Sequence, residues 1–199
     1  FRRSVQMDIT KMEKITANFS DEQKERFQRI FLYQETTGSL NPPQSMVEWI
    51  NRTFGEVGLV RKQKIIKITN RVTMEGCLFN TLRAKRPFPP AINRETVEAL
   101  AKEEDMFCKP LEYTSEDTFG RISGKYCLTA ANIAKYDGYH AVIIFDEHNP
   151  LKINADKIRD YLQTARNWAV KAHEEDPSAV YYFFLWNCLW KSGASIVHG

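Results

Sequence analysis

The stretch "YHAVIIF", residues 139–145, decides the fold class of this 199-residue chain. A short run of β-branched and aromatic residues between polar segments predicts a buried strand, and "GKYCLTA" (124–130) predicts a second one. A helix capped by Asn154 follows, and "VYYFFLWNCLW" (180–190) predicts a further, fully buried strand. This order predicts an α+β fold, in which one antiparallel sheet is crossed by a helix. The predicted sheet contains residues 125–130, 139–145 and 180–186, and the predicted crossing helix spans residues 156–173.

The first 61 residues have a helical pattern. Ser20 and Gln23 form a capping box, and the apolar spacing predicts a helix that continues to Gln34. Pro43 can open a second helix, with apolar residues from Met46 to Phe54 on one side. The spacing of apolar residues then changes from helical to partly alternating, and residues 62–76 predict a strand or hairpin arm. We therefore predict a helical N-terminal region (1–61) and a second domain (62–199).

Bulk properties exclude several classes of protein. A formal net charge of +3 is too small to indicate nucleic-acid binding by itself, and no run of eighteen apolar residues predicts a membrane span. The four cysteines are far apart and lack a Cys-x-x-Cys pair, which favours reduced thiols. With no secretion signal visible, a cytoplasmic protein without nucleic-acid or membrane partners is expected.

Two short segments could bind an anion. "RAKRP" (83–87) places Arg83, Lys85 and Arg86 in a proline-stiffened loop, where arginine can bind phosphate oxygens with two hydrogen bonds. A solvated basic loop explains the same composition. "SGAS" (192–195) precedes His198, and a tight turn at Gly193 can expose N–H groups beside the Ser192 and Ser195 hydroxyls. A histidine near a frayed chain end is the alternative there.

The order of these motifs resembles the galactose-1-phosphate uridylyltransferase branch of the histidine-triad superfamily. The resemblance spans about residues 72–199 and lies in "FNTLRAKRPF", a cysteine some twenty residues later, "AAN" (130–132), a histidine after an apolar strand, and "WN…SGASIVHG". It implies a histidine-triad-like sheet and a two-step transfer. A neutral histidine attacks the α-phosphorus of a UDP-hexose, holds UMP covalently and passes it to a hexose 1-phosphate.

The resemblance also implies roles for individual residues. The residues that would bind substrate are Arg83, Arg86 and Asn132, joined by Ser192 and Gly193 from the predicted anion-binding turn. Those at the phosphoryl centre would be Asn187, Ser195 and His198. His198 matches the first histidine of a His-x-His pair, which is a metal ligand in zinc-bearing members. The nucleophile would follow Gly199, so we expect a full-length enzyme to be active and the chain ending at Gly199 to be inactive.

A zinc site is also implied, with one departure. The family uses a Cys-x-x-Cys pair, whereas "DMFC" offers Asp105 and Cys108. One thiolate fewer is less favourable for zinc, so we expect a degenerate or empty site. Its candidate ligands are Cys108, His140, His148 and His198, although a lone strand histidine such as His140 is commonly a hydrogen-bonded core residue.

Other functions fit the same residues. A dinucleoside polyphosphate phosphorylase or hydrolase would use the same histidine chemistry, and a non-catalytic module could keep only the nucleotide groove. An RNA-binding basic domain is less favoured, because "RAKRP" lacks interleaved aromatic residues. The expected partners are therefore a UDP-hexose and a hexose 1-phosphate, and the sequence leaves a homodimer open.

Overall fold

The computed structural model of this protein describes residues 9–86, 105–149, 152–187, 196 and 198. It combines helices with two small antiparallel sheets. The helices are Met12–Ala17 (α1), Asp21–Ile30 (α2), Val47–Phe54 (α3), Val57–Arg61 (α4), Pro110–Tyr113 (α5) and Ala155–Glu175 (α6). The strands are Phe31–Ser39 (β1), Lys62–Asn70 (β2), Gly76–Phe79 (β3), Cys127–Ala131 (β4) and Ala141–Phe145 (β5). Short 3-10 helices lie at Ile9–Lys11, Gln44–Met46, Thr81–Lys85 and Met106–Cys108.

The N-terminal segment is helical only in part. The capping box of α2 is present, with the Ser20 hydroxyl accepting from Gln23 N–H and the Gln23 side chain accepting from Ser20 N–H. The helix ends at Ile30, however, and the predicted continuation to Gln34 is wrong because β1 begins at Phe31. Aromatic and β-branched residues suit a strand, and β1 pairs with β2 along its whole length. Long-range pairing thus overrides the helical spacing.

The first sheet has the order β1-β2-β3. Phe31 lies opposite Asn70 and Ser39 opposite Lys62, and the β2–β3 hairpin confirms the strand or hairpin arm predicted for residues 62–76. β1 lies in the predicted N-terminal region (1–61) and β2 in the predicted second domain (62–199). These two predicted parts of the chain therefore share one sheet. The second predicted helix is α3, and its side chains Ile50 and Phe54 are fully buried.

A single apolar cluster joins this helical part to the second sheet. It contains residues from the segment after β1, from α3 and α4, and from the position just before the basic loop, "RAKRP" (83–87). Two alanines from the end of β4 and the turn that follows it complete the cluster. Its members are Leu40, Met46, Ile50, Phe54, Val60, Leu82, Ala131 and Ala134. The position of the basic loop relative to β4 is therefore set by core packing.

The second sheet pairs β4 with β5, from Cys127 opposite Phe145 to Ala131 opposite Ala141. The predicted crossing helix is confirmed as α6, which Asn154 caps by accepting from Lys157 N–H. Tyr161 of α6 stacks on Phe145 at 3.7 Å between ring centroids. Two strands and one helix of the predicted α+β unit are therefore present, in the predicted order.

The third predicted strand is wrong. Residues 180–186 form no strand and are largely exposed, instead of being buried on both faces. A strand needs a neighbouring backbone edge. Asp146 N–H donates to the carbonyl of Tyr126, the residue that precedes β4, so the Phe145 carbonyl points to the outer edge of β5. There it accepts from His198 Nε2 at 3.0 Å. A side chain thus occupies the edge position that a third strand would take.

A buried ion pair fixes the turn after β4. The side chains of Lys135 and Asp117 are 0% and 2% exposed, and Lys135 Nζ lies 3.0 Å from Asp117 Oδ1. Trp168 Nε1 of α6 donates to the other carboxylate oxygen at 2.7 Å, and Lys135 Nζ also donates to the His140 carbonyl. One carboxylate therefore ties α6 to the loop between β4 and β5.

None of the helices in the described part of the chain combines the length and apolar composition that crossing a membrane requires.

Candidate metal centre

Asp105 and Cys108 belong to one turn. Asp105 Oδ1 accepts from Phe107 N–H at 2.8 Å, which starts the 3-10 helix Met106–Cys108. In a 3-10 helix, side chains three positions apart lie on the same side. Cys108 Sγ consequently lies 3.8 Å from Asp105 Oδ1.

Two histidines from later parts of the chain meet this turn. His148 follows β5, and His198 lies fifty residues further on. His198 Nδ1 is 3.1 Å from Asp105 Oδ1, 3.1 Å from His148 Nδ1 and 3.7 Å from Cys108 Sγ, and Cys108 Sγ is 3.5 Å from His148 Nδ1. All four ligand atoms lie within 4.8 Å of one another, so the group could hold a metal ion.

These distances suit a small tetrahedral ion. Zinc binds nitrogen and oxygen at about 2.0–2.2 Å and thiolate at about 2.3 Å, so tetrahedral ligands lie about 3.3–3.8 Å apart. The charges also fit. A carboxylate, a thiolate and two neutral imidazoles together carry the two negative charges that balance a divalent cation. The donor set and its spacing therefore fit zinc.

The orientation of His198 prepares one nitrogen as a ligand. Its Nε2 faces the Phe145 carbonyl, which can only accept, so Nε2 carries the proton. In the neutral ring Nδ1 is then a bare acceptor, and it faces the Asp105 carboxylate, which also only accepts, and the Cys108 sulfur. A backbone carbonyl that fixes the tautomer in this way is a common second partner of metal-binding histidines. The contact between His198 Nδ1 and Asp105 Oδ1 therefore needs a proton or a cation between the two atoms.

A proton in place of the metal would be shared by Asp105 and His198. Burial alone would lower the pKa of His198, but its hydrogen bonds to Asp105 and to the Phe145 carbonyl raise that pKa above its usual value. Burial alone would likewise raise the pKa of Asp105, yet the hydrogen bond and the charge of His198 lower it. Together these directions favour an Asp105 carboxylate hydrogen-bonded to a protonated His198.

His140 is not part of the cluster, so its prediction as a ligand is wrong. Its Nδ1 accepts from Tyr136 N–H at 3.1 Å, and its ring stacks on the Tyr136 ring. Burial, followed by the charges of Lys135, Arg83 and Arg86, lowers the pKa of His140 to about 4. It is a neutral, hydrogen-bonded histidine at the start of β5.

We expect His140 to make the fold sensitive to acid. An unfolded histidine has a pKa near 6.5. Because the folded pKa is about 4, stability is unaffected above pH 6.5, falls between pH 6.5 and 4, and then levels off. The loss attributable to His140 should be about 2–3 kcal/mol. Urea unfolding of the parent and of His140→Gln at pH 7 and pH 4 measures it. A difference between the two proteins that does not change with pH contradicts this assignment.

The basic loop lies at the opposite end of the second sheet. Arg83 Nη1 donates to the Ala134 carbonyl at 2.7 Å, and its guanidinium lies 3.4 Å from the centre of the Tyr136 ring. Burial lowers the pKa of Arg83, and the charge of Arg86 lowers it further. Lys85 is occupied elsewhere, since its Nζ donates to the Phe54 carbonyl at the end of α3. Arg83 and Lys85 belong to a 3-10 helix, whereas an irregular loop was predicted.

The predicted residues fall into two groups. Asn132 lies with the basic loop, where its N–H donates to the His140 carbonyl and its side chain accepts from Ala134 N–H. His198 lies at the Phe145 end, and exposed Asn187 follows Trp186, which contacts the Phe145 ring. Ala141 and Phe145 are about 13 Å apart along β5. The described members of the predicted site thus lie towards opposite ends of β5.

Three predicted site residues, Ser192, Gly193 and Ser195, lie outside the residues that the structure describes. Asp105 was not among the candidate ligands predicted from the sequence, where it stands in place of a cysteine of the family, yet it is part of the cluster. Its position three residues before Cys108 is the signal that indicates it. The Phe145 carbonyl could not be found from sequence, since its role depends on which way the strand faces.

No protein-family model, no curated protein and no solved structure matches this chain.

Proposed function

We propose that this protein is a nucleotidyltransferase of the galactose-1-phosphate uridylyltransferase type, in which Asp105, Cys108, His148 and His198 hold a structural zinc ion. The observation that carries the proposal is the meeting of these four side chains from three distant segments, with all ligand atoms within 4.8 Å. Except for the aspartate, these residue types and their order along the chain are those that the resemblance implies for a zinc-bearing member.

The geometry supports a structural role for the ion. Four protein ligands fill a tetrahedral site, whereas a catalytic zinc keeps one position open for water or substrate. When bound, the ion would supply a cross-link between the Asp105 turn, the loop after β5 and the segment that carries His198. The chain's own contribution is the Phe145 carbonyl, which holds the His198 ring with its Nδ1 directed at the site.

The contacts of His198 support a role as a metal ligand and not as the nucleophile of the proposed transfer. Attack on phosphorus needs a bare ring nitrogen facing the substrate. The Nε2 of His198 is protonated and bonded to the Phe145 carbonyl, and its Nδ1 faces Asp105 and Cys108. In this proposal another group forms the covalent bond to UMP, as the His-x-His resemblance implies.

The basic loop supports nucleotide binding more weakly. Arg83 is held in place by Tyr136 and the Ala134 carbonyl, and Arg86 lies close enough to lower the pKa of both Arg83 and His140. Such a concentration of positive charge favours a diphosphate. We assign this loop to the nucleotide, at a distance from the metal centre.

Titration of the zinc-loaded protein with UDP-glucose in a calorimeter tests this function. We expect saturable binding, weakened at least tenfold in Arg86→Ala and in the Arg83→Ala, Arg86→Ala double variant, because each loses charge-assisted phosphate contacts. Arg29→Ala, which removes an exposed arginine of α2, is the matched control. Equal binding by the parent and the double variant would show that the loop is only a solvated surface. Stronger binding of a dinucleoside polyphosphate than of UDP-glucose would favour the phosphorylase or hydrolase alternative.

A further inference from the structure

Arg121 lies in the segment between α5 and β4, and its guanidinium binds the part of the chain that follows Cys108. Its side chain is only 10% exposed. Nη2 donates to the Thr114 carbonyl at 2.7 Å and to the Pro110 carbonyl at 3.3 Å, and Nη1 donates to the Thr114 hydroxyl at 3.0 Å. Pro110 begins α5 and Thr114 follows its last residue. One side chain therefore holds both ends of this short helix.

The same guanidinium also reaches the second sheet. Nη1 donates to the Thr129 carbonyl of β4 at 3.1 Å. Thr129 N–H donates to the Ile122 carbonyl, so the N–H and the carbonyl of Thr129 both lie on the edge of β4 that does not pair with β5. A guanidinium carries five donors in one plane, which lets a single residue bind acceptors on two segments. Arg121 consequently joins α5 to the outer edge of β4.

Both of the segments that Arg121 joins lead to metal ligands. The turn that contains Asp105 and Cys108 ends two residues before Pro110, where α5 begins. On the other side, β4 pairs with β5, and His148 follows β5. The separation of Cys108 Sγ from His148 Nδ1, which is 3.5 Å, therefore depends on how α5 is attached to the sheet.

The other described attachments of α5 are more exposed or lie further along the chain. The exposed Ser45 hydroxyl donates to the Glu112 carbonyl at 2.5 Å. Backbone bonds to β4 begin only at Ser115, whose carbonyl accepts from Ala131 N–H at 2.9 Å. Removal of Arg121 would thus loosen α5 and the preceding turn, whereas the chain from Ser115 onwards would stay attached to the sheet.

We propose that Arg121 is a positioning residue of the zinc centre, which sets the distance between the Asp105–Cys108 turn and His148 by fixing α5 to β4. It acts through the backbone, because its hydrogen bonds go to three carbonyls and one hydroxyl. Zinc binds its ligands within a narrow range of distances, and loss of an outer partner of a metal ligand typically weakens metal binding about 10–100-fold. The inference rests on the zinc centre of the proposed function.

Metal titrations of the full chain test the proposal, with zinc measured against a chelating indicator and cobalt(II) measured by its absorption spectrum. We expect Arg121→Met to raise the zinc Kd at least about tenfold. At saturating cobalt we expect it to lose about half or more of the thiolate-to-cobalt absorption band, because the Cys108 sulfur is no longer held at the ion. Arg121→Lys keeps the charge but not the planar donors, so its Kd should lie between those of the parent and Arg121→Met. Arg159→Met, at an exposed ion pair of α6, should match the parent.

Two further variants separate positioning from stability. Ile50→Ala opens a cavity in the buried apolar cluster and lowers the melting temperature, but it should keep the parental zinc Kd and cobalt band. Thr114→Val removes one acceptor of Arg121 and nearly keeps the side-chain volume. It should raise the zinc Kd by less than Arg121→Met does, and it tests the proposal even if Arg121→Met does not fold.

Two results would overturn this inference while leaving the proposed metal centre in place. One is a parental zinc Kd and cobalt band in both an Arg121 variant and Thr114→Val. The other is an equal loss of zinc binding in Ile50→Ala and Arg121→Met, since lower stability alone would then explain the effect. A parent protein that binds neither zinc nor cobalt would contradict the metal centre itself, and the role of Arg121 would be abandoned with it.

Discussion

Lys135→Met is expected to lower the free energy of unfolding by about 3–5 kcal/mol. The ammonium group is fully buried, and burial lowers its pKa despite the opposing charge of Asp117. Removing it leaves the Asp117 carboxylate buried with only the Trp168 indole as a hydrogen-bond donor among the described side chains. An unpaired buried charge costs far more than the pair contributes when it is intact.

A double variant separates this effect from loss of packing. In Lys135→Met, Asp117→Asn no charge remains, and the amide oxygen can still accept from Trp168. We expect it to recover at least half of the loss, and Lys171→Met, at an exposed ion pair of α6, to change stability by less than 1 kcal/mol. Urea unfolding with two probes measures all three variants. A Lys135→Met protein as stable as Lys171→Met would contradict the predicted cost of leaving the Asp117 carboxylate buried without its partner.

Zinc is expected to stabilise the protein by about 4 kcal/mol when free zinc is a thousand times its dissociation constant, because the ion binds the folded cluster alone. The gain should disappear on addition of a chelator. It should be largely lost in Cys108→Ser and in His198→Gln, since each removes one of four ligands around a site with four positions. Thermal unfolding with and without zinc measures the shift, and calorimetry measures the affinity.

The chain offers matched controls for both ligand types. Cys77 is an exposed cysteine on β3, and His173 is an exposed histidine near the end of α6. Cys77→Ser and His173→Gln should keep the full zinc response. A response that is equal in Cys108→Ser and Cys77→Ser would mean that zinc binds elsewhere, and the proposed centre would then be abandoned. Because nucleotide binding is measured separately, this result would leave the assignment of the basic loop open to its own test.

Helices whose N-terminal capping signals lie within a few consecutive residues were predictable from the sequence. The capping box at Ser20 and the cap at Asn154 act within three residues, and both are present as predicted. The apolar runs that became β4 and β5 were also predictable, since burial between a helix and a neighbouring strand leaves a continuous apolar pattern. Where local preference and tertiary packing agree, the sequence is sufficient.

Strands, which depend on a neighbouring backbone to pair with, were not reliably predictable from the sequence. Phe31 continues the helical spacing of α2, yet it begins β1 because β2 lies beside it along nine residue pairs. Residues 180–186 have a strong strand composition, yet the outer edge of β5 is met at Phe145 by a histidine instead. A strand exists only where another backbone satisfies its hydrogen bonds, and composition does not contain that information.

For the metal centre, the sequence alone determined which residue types are available and which turn pairs Asp105 with Cys108. Only the tertiary structure decided that His148 joins them and that His140 does not. The two histidines are eight residues apart, at opposite ends of β5, so the direction and length of one strand separate them. His198 is ninety residues from Cys108, and it reaches the site because the outward Phe145 carbonyl accepts its Nε2 proton. Ligand convergence is a property of three-dimensional distance, and sequence spacing constrains that distance only within a single turn.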